Sequence, residues 1–379
     1  MADRVLVTGG AGFIGSHTVD LLLERGYTVR VLDALQKRVH PRGRPPYVPA
    51  EVEFVQGDVS DRETLDRALR DVAYVFHLAA YQDYLTDFSH FIHTNAESTA
   101  LLLELAVEKR LPVQKIVLAS SQSVAGEGVY ECAEHGVVRP GPRPIAQLRR
   151  GDWELHCPTC GADMRWRLID EGTCSPHTAY AISKYALELL ALNLGRRYGI
   201  PTVCMRYTYV QGPRNAFSNA YSGILRRFAL RLLHGLPPVL YEDGHQVRDY
   251  VNVADVARAN LLVMERDEAD FGVFNVGGGR PLTVREFAAI VLRAFGSDLQ
   301  PEIPGSFRVG DTRHTVSDIS RICAFGWQPR APVEESVRQY VEWIRQQEGT
   351  AEYLAEAERI MLEANVVRSA DLAPAPQPP

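Results

Sequence analysis

The segment Gly9-Gly10-Ala11-Gly12-Phe13-Ile14-Gly15 constrains the fold more than any other part of the chain. It follows a β-branched run, Arg4–Thr8 (RVLVT), and opens an amphipathic run, Ile14–Arg25. Gly9 permits a tight turn, Gly12 lets backbone approach a pyrophosphate, and Gly15 lets the helix pack closely. Phe13 and Ile14 fill the loop between them, where free helical N–H groups and a positive dipole end suit phosphates. Asp33 closes the next run, Thr28–Leu32, at the distance where a carboxylate meets the ribose of a dinucleotide. Such a carboxylate repels a 2′-phosphate, so NAD is expected over NADP. Lys37, Arg38 and Arg42 follow and could hold a 2′-phosphate, solvated loop charge being the plainer reading. Asp58 and Val59, in QGDVSD after the third run, suit an adenine contact, a helix cap at Asp58, or both.

The pattern continues through the first two-thirds of the chain. Val52–Gln56, Ala73–Leu78, Lys115–Ser120 and Thr202–Tyr207 read as strands, and Arg62–Arg70, Phe91–Lys109 and Ala179–Tyr198 as helices. This alternation predicts an α/β, doubly wound parallel sheet with its ligand crevice at the C-terminal strand ends. Residues 1–207 form the expected NAD-binding domain, interrupted at 126–175 by a Gly-, Pro- and Cys-rich insertion too long for an ordinary connection. Residues 208–347 are expected to build mainly a smaller mixed α/β substrate lobe, with part returning to the sheet. Its helices are expected at Tyr221–His234, Val253–Arg266, Thr283–Phe295 and Val333–Gln347. Residues 348–379 read as a helix and a disordered proline-rich tail.

Net charge is −6, which argues against nucleic acid and anionic membranes as partners. MADRVLVTGG does not read as a signal peptide, and no apolar stretch reaches the ~18 residues of a membrane span. A cytoplasmic protein is expected, whose six cysteines are thiols or metal ligands rather than a disulfide framework.

Tyr180-Ala181-Ile182-Ser183-Lys184 places a tyrosine and a lysine four residues apart on one helix face. A nearby ammonium and an oxidised nicotinamide both favour the phenolate, which could then take a proton from an alcohol. With TGGAGFIG and YAISK together, the sequence resembles the extended short-chain dehydrogenase/reductase family, specifically its nucleotide-sugar epimerases and dehydratases. The resemblance spans roughly residues 3–345 and is nearest to dTDP-L-rhamnose 4-epimerase-like and UDP-glucose 4-epimerase-like members.

The resemblance implies Tyr180 as acid/base and Lys184 as the residue that lowers its pKa and holds the nicotinamide ribose. Ser121, five residues before Gly126, would hydrogen-bond the reacting oxygen, with Ser123 beside it. His77-Leu78-Ala79-Ala80 matches the strand end passing the cofactor, and Asn95 a helix asparagine near the site. Arg248 and Arg308 match arginines that grip the nucleotide diphosphate, and Tyr209 stands in the substrate pocket where the family commonly has asparagine. Ala125 and Gln211 also depart from frequent tyrosines. Gln122 and Ser123 replace the Asp-Glu pair of the 4,6-dehydratases, and neither does carboxylate chemistry. The resemblance also implies a homodimer through Phe91–Lys109 and Ala179–Tyr198, although those stripes could face only the sheet.

Cys157-Pro158-Thr159-Cys160 is a knuckle of the kind that presents two thiolates to zinc, and Cys132 and Cys174 flank it in the insertion. These four form the expected structural zinc site, with His135, His156 and His177 as possible substitutes for one thiol. Cys204 and Cys323 read as small buried hydrophobes. The insertion resembles one found in dTDP-L-rhamnose 4-epimerases.

The expected activity is NAD-dependent epimerisation of a nucleotide sugar at C4 through a 4-keto intermediate. The rivals are a dehydrogenase or ketoreductase of a nucleotide sugar or nucleotide, a 4,6-dehydratase, and a non-catalytic NAD sensor.

Overall fold

The computed structural model describes residues 3–83, 86–219, 223–363 and 365–371. The proline-rich tail 372–379, expected to be disordered, lies outside the described residues, as does the start of the helical run expected from Tyr221. The central sheet has seven parallel strands: β1 (Arg4–Thr8), β2 (Thr28–Asp33), β3 (Glu53–Gln56), β4 (Tyr74–His77), β5 (Lys115–Ser121), β6 (Thr202–Tyr207) and β7 (Val273–Val276). They lie in the order β7-β6-β5-β4-β1-β2-β3. The chain order reverses between β1 and β4, which opens a crevice at their C-terminal ends. Strand β7 is not among the expected strands: its short apolar run is broken by Asn275 and flanked by Gly272 and Gly277. It reaches the sheet from beyond residue 207 and pairs with β6.

Both faces of the sheet are covered, which explains why the strands read as continuous apolar runs. Val5 and Val7 point into the core shared with helices Phe13–Glu24 and Val253–Met264. Leu6, between them, joins Leu102, Leu103, Leu187 and Ala191 in the core on the opposite face. The long run expected as one helix from Phe91 is α-helical at Phe88–Phe91, π-helical at Ile92–Glu97, and α-helical again at Ser98–Glu108. Within it, the Ser98 and Thr99 hydroxyls donate to the carbonyls of Thr94 and Asn95. Such π turns are common at functional sites.

A second core forms where helices Gly223–Leu233, Val284–Phe295 and Val333–Ile344 meet. Tyr250 stacks on Phe287 with centroids 4.0 Å apart, and a Thr283–Glu286 capping box starts the helix carrying Phe287. A short strand, Val367–Ser369, pairs antiparallel with Ser306–Arg308. Nothing in the sequence pattern marks it.

The insertion folds as a three-stranded antiparallel sheet of Gly136–Val138, Val129–Cys132 and Arg165–Arg167, in that order. It has a small core of its own, Tyr130, Cys132, Leu155, Cys157 and Met164.

Candidate active site

A single cleft of about 880 Å³ runs along the crevice from the glycine loop to the smaller lobe. Gly9, Gly12, Phe13, Ile14, Gly15, Asp33, Asp58, Val59, Leu78, Ala79 and Ala80 line one end. Ser121, Ser123, Tyr180, Lys184, Tyr209, Arg248 and Arg308 line the rest. The tertiary fold therefore brings together every expected cofactor and substrate residue except Asn95.

The glycine loop is held by close approaches. Gly9 has φ +67°, and a Cβ there would sit 2.8 Å from the backbone nitrogen of Ala79; a Cβ on Gly15 would sit 2.1 Å from the carbonyl oxygen of Gly9. The helix Phe13–Glu24 starts at Gly12 without a capping side chain and with no acidic residue in its first turn. Its N–H groups are left for an anion, the chemistry a pyrophosphate requires.

Asp33 accepts from the backbone N–H of Ala11 at 3.0 Å and of Leu35 at 2.9 Å, so its carboxylate is pinned at the cleft edge. Arg38 also lines the cleft, where it pairs with Asp83 and lies 4.2 Å from the Tyr81 ring centroid. Arg42 pairs with Glu348 at 3.2 Å on the surface. Asp58 accepts from Ser60 N–H at 2.8 Å; the cap of the following helix is Asp61, which accepts from Thr64 N–H. The cap reading of Asp58 is thus corrected, and its place on the cleft stands.

Tyr180 lies in the first turn of helix Ala179–Tyr198, whose start is set by the Thr178 hydroxyl accepting from Ala181 N–H. A hydrogen bond joins Tyr180 to Ser121, while burial pushes the phenol up to about 12. Lys184 is buried with its Nζ 2.8 Å from the carbonyl oxygen of Ala119 and 5.8 Å from the Tyr180 ring centroid. Burial lowers the ammonium to about 7, against a raising influence from Glu188. Ser121 ends β5, and the Ser123 hydroxyl donates to its Oγ at 3.0 Å. Gln122 and Ser123, the positions where the resemblance places the dehydratases' Asp-Glu pair, line the cleft, and Gln122 Nε2 donates to Ser317.

Asn95 is the departure. It is fully buried and does not line the cleft; its amide brackets the Tyr81 backbone and donates to Ser183 Oγ at 2.9 Å. Through these bonds it ties the Tyr81 backbone to the helix carrying Tyr180. His77 is likewise structural, between Thr8 and Ser98, and burial holds it near 3, with the Lys184 charge adding to the effect.

At the far end, Arg248 donates to the carbonyls of Val247, Thr312 and Arg313 and lies 5.3 Å from the Tyr209 ring centroid. Arg308 pairs with Asp311 at 2.9 Å. Several buried polar atoms lacking partners belong to cleft-lining residues: Thr208 Oγ1, Gln211 Oε1, Gln246 Oε1, Tyr250 Oη and Thr315 Oγ1. Buried polar atoms normally have partners, so this end suits a ligand rich in hydrogen-bonding groups. Gln246 and Thr315 escaped the sequence reading, as did Val366 and Arg368, brought to the cleft by the unforeseen C-terminal strand.

The expected zinc set needs one correction. Cys174 lies apart from the other three, 3.1 Å from the Arg206 guanidinium, which also pairs with Glu188. His135 takes its place, grouped with Cys132, Cys157 and Cys160. The overlooked signal is a repeat of spacing: Cys132-x-x-His135-Gly136 mirrors Cys157-x-x-Cys160-Gly161. His156 pairs instead with Asp152 and Asp163, and His177 lines the cleft. Cys204 is buried and Cys323 half-buried against the core.

The glycine loop, the pinned Asp33 and the crevice at the strand-order reversal define a dinucleotide-binding protein of the doubly wound class. The family model for the NAD dependent epimerase/dehydratase family matches residues 5–140 and 162–277, its gap falling inside the insertion. The chain is 32% identical over 353 residues to the dTDP-L-rhamnose 4-epimerase of Burkholderia thailandensis, covering 91% of this chain and 95% of that one. The UDP-glucose 4-epimerase of Thermus thermophilus, solved with NAD, matches at TM-score 0.71 and 32% identity over 90% of this chain and 99% of that one. The Thermotoga maritima UDP-glucose 4-epimerase, solved with UDP-glucose, matches at TM-score 0.74 and 31% identity over the same shares. This chain belongs to the NAD-dependent epimerase/dehydratase family, and its type is the extended short-chain dehydrogenase/reductase. Among the described residues, no helix is long and apolar enough to cross a membrane.

Proposed function

We propose that this protein epimerises a nucleotide sugar at C4, with NAD held at the glycine loop and Asp33. The observation that carries the reading is the set Ser121, Tyr180 and Lys184 at one point of the crevice, with Gln122 and Ser123 where a dehydratase needs carboxylic acids. The 4-epimerases among its relatives support the choice of carbon.

When bound, NAD supplies a reversible hydride acceptor. Tyr180, as phenolate, takes the proton of the sugar hydroxyl while Ser121 donates to the reacting oxygen, and Tyr180 returns the proton once the 4-keto sugar has presented its other face. Lys184 stabilises the phenolate by charge. Arg248 and Arg308 bind the diphosphate, Arg308 exchanging its carboxylate partner for phosphate oxygens. Asp33 selects NAD over NADP, and the engagement of Arg38 by Asp83 supports that choice.

A homodimer belongs to the same reading. Phe88 and Ile92 on one helical segment, and Ile182 and Leu189 seven residues apart on helix Ala179–Tyr198, are exposed apolar side chains between 43% and 61% accessible. A cytoplasmic setting, which keeps thiols reduced, is part of the same reading.

The test is product analysis by mass spectrometry and NMR with a panel of UDP- and dTDP-sugars, with and without added NAD⁺. An isomer of unchanged mass, formed without added cofactor, is the expected result. A product formed only with stoichiometric cofactor and shifted by the mass of two hydrogens would make the protein a dehydrogenase.

A further inference from the structure

The insertion spans about fifty residues, yet the core cluster of its own holds five buried side chains, two of them cysteines, a small core for a module of that length. Its two hairpins answer this need in the same way. Cys132 ends strand Val129–Cys132, and Gly136, paired to it across the turn, has φ +67°. Cys157 begins the second turn, closed by Gly161 N–H donating to the Cys157 carbonyl at 2.8 Å, with Gly161 at φ +75°. Each hairpin thus presents two ligand atoms at its tip and turns back through a left-handed glycine.

The tips face each other. Cys132 Sγ lies 3.6 Å from Cys160 Sγ and 3.6 Å from His135 Nδ1, and Cys157 Sγ lies 3.6 Å from His135 Nδ1. All four ligand atoms fall within 4.8 Å of one another. Tetrahedral zinc with ordinary Zn–S and Zn–N bonds has ligand–ligand edges of about 3.8 Å for S–S and about 3.6 Å for S–N. A disulfide bond is only about 2 Å long, so the sulfurs are not placed for one. Cys132 and Cys157 are buried against the module core, while His135 and Cys160 close the outer side.

The same hairpins reach the cleft. Tyr130, two residues before Cys132 on its strand, accepts from His314 N–H at 3.2 Å. Glu154, three residues before Cys157, pairs with Arg313 and with His314. Arg143 makes a bidentate pair with Glu242 and donates to the Asp311 carbonyl at 2.9 Å. Arg313 N–H donates to Glu127, and the Arg313 carbonyl in turn accepts from Arg248. The segment 308–315, which carries Arg308 and the carbonyls that orient Arg248, is therefore backed by the insertion.

We propose that Cys132, His135, Cys157 and Cys160 bind one structural zinc ion, and that this ion clamps the insertion against segment 308–315. Removing the ion frees the hairpin tips and with them Tyr130 and Glu154. That the segment serves a nucleotide diphosphate rests on the proposed function; the zinc and the clamp do not.

The experiment uses full-length protein purified from zinc-supplemented cells, with metal analysis and amide hydrogen exchange, neither of which needs substrate or turnover. One zinc per chain is expected in the wild type and in Cys174→Ser. Cys160→Ser is expected to keep less than about a tenth of it after a chelator wash, because closed four-ligand sites lose affinity steeply with one ligand gone. Exchange at 308–315 should then speed up on the order of tenfold or more, while β1 and β4 stay protected. Wild-type protein stripped of metal is the parallel measurement should Cys160→Ser fold poorly. Absence of stoichiometric zinc from the wild type, or its loss from Cys174→Ser, overturns the site. Zinc present, with unchanged exchange at 308–315 after its removal, overturns the clamp.

Discussion

Replacing Lys184 with methionine tests whether Tyr180 and Lys184 act as one unit. Methionine keeps the unbranched apolar stem and removes the charge. With burial raising Tyr180 to about 12 and lowering Lys184 to about 7, the wild-type pair sheds its first proton near pH 7. That proton belongs to the pair, because phenolate with ammonium holds as many protons as phenol with neutral amine. Phenol with neutral amine is the main form above pH 7, and the base-competent phenolate–ammonium tautomer is reached from it by moving one proton from Tyr180 to Lys184, so its share stops changing with pH there. In Lys184→Met the only proton left to lose is the phenol's, near 12. At pH 7.5 the variant's phenolate is a fraction on the order of 10⁻⁴ to 10⁻⁵, and that fraction grows tenfold with each pH unit. A bound oxidised nicotinamide lowers both limbs and leaves their order intact.

The signature is the profile. Wild-type rate levels off above about pH 7, whereas the variant climbs about tenfold per pH unit toward pH 10. Initial isomerisation rates by NMR across pH 6–10, with NAD content measured on the same samples, are the assay. Tyr180→Phe is the control: a loss on the order of 10²–10⁴ with no such climb, since the acid/base itself is gone. A flat profile for Lys184→Met with NAD retained would refute the coupling.

Three further predictions follow from the same contacts. Asp33→Ser removes the acceptor for Ala11 and Leu35 N–H, each charge-assisted bond worth about 1.5–3 kcal/mol; NAD affinity should fall at least tenfold, and adding Asp83→Asn, which releases Arg38, should raise NADP affinity, both read by calorimetry. His17 and His77 are held by burial near 4 and near 3, against 6.5 when unfolded. The unfolded chain therefore binds more protons as pH falls below 6.5. Stability present above that pH should decline by about 1.4 kcal/mol per pH unit for each imidazole, and a urea midpoint unchanged from pH 7 to 5 would contradict this. Ile182→Glu with Leu189→Glu places two charges on an exposed apolar face, and light scattering should then find a monomer that still carries NAD.

Legibility tracked the range of the interactions. The glycine loop, Asp33 and the Tyr180–Lys184 pair are set by backbone conformations and spacings a few residues long, and a strand–turn–helix written in glycines has few ways to fold. Strands β1 to β6 announced themselves because burial on both faces demands unbroken apolar runs. β7, whose apolar run is broken by Asn275, and Val367–Ser369, with Arg368 and Ser369, carry no such signal.

Where several partners were chemically equivalent, composition could not choose between them. Cys174 and His135 are both competent ligands by type; strand pairing at Cys132–Gly136 puts His135 beside the thiols, while Cys174 is drawn to Arg206. Asn95 reads as a contact residue until the π turn and the Tyr81 backbone claim its amide. The network of Arg143, Glu242, Arg313 and Glu154 joins residues up to 159 positions apart along the chain. By itself, then, the sequence determined strands β1 to β6 of the parallel sheet, the dinucleotide loop and the tyrosine–lysine pair, because each is encoded in a short local pattern of the chain. Only the tertiary structure decided the metal-ligand set and the wall of the substrate cleft, because those contacts exist only once distant hairpins have docked.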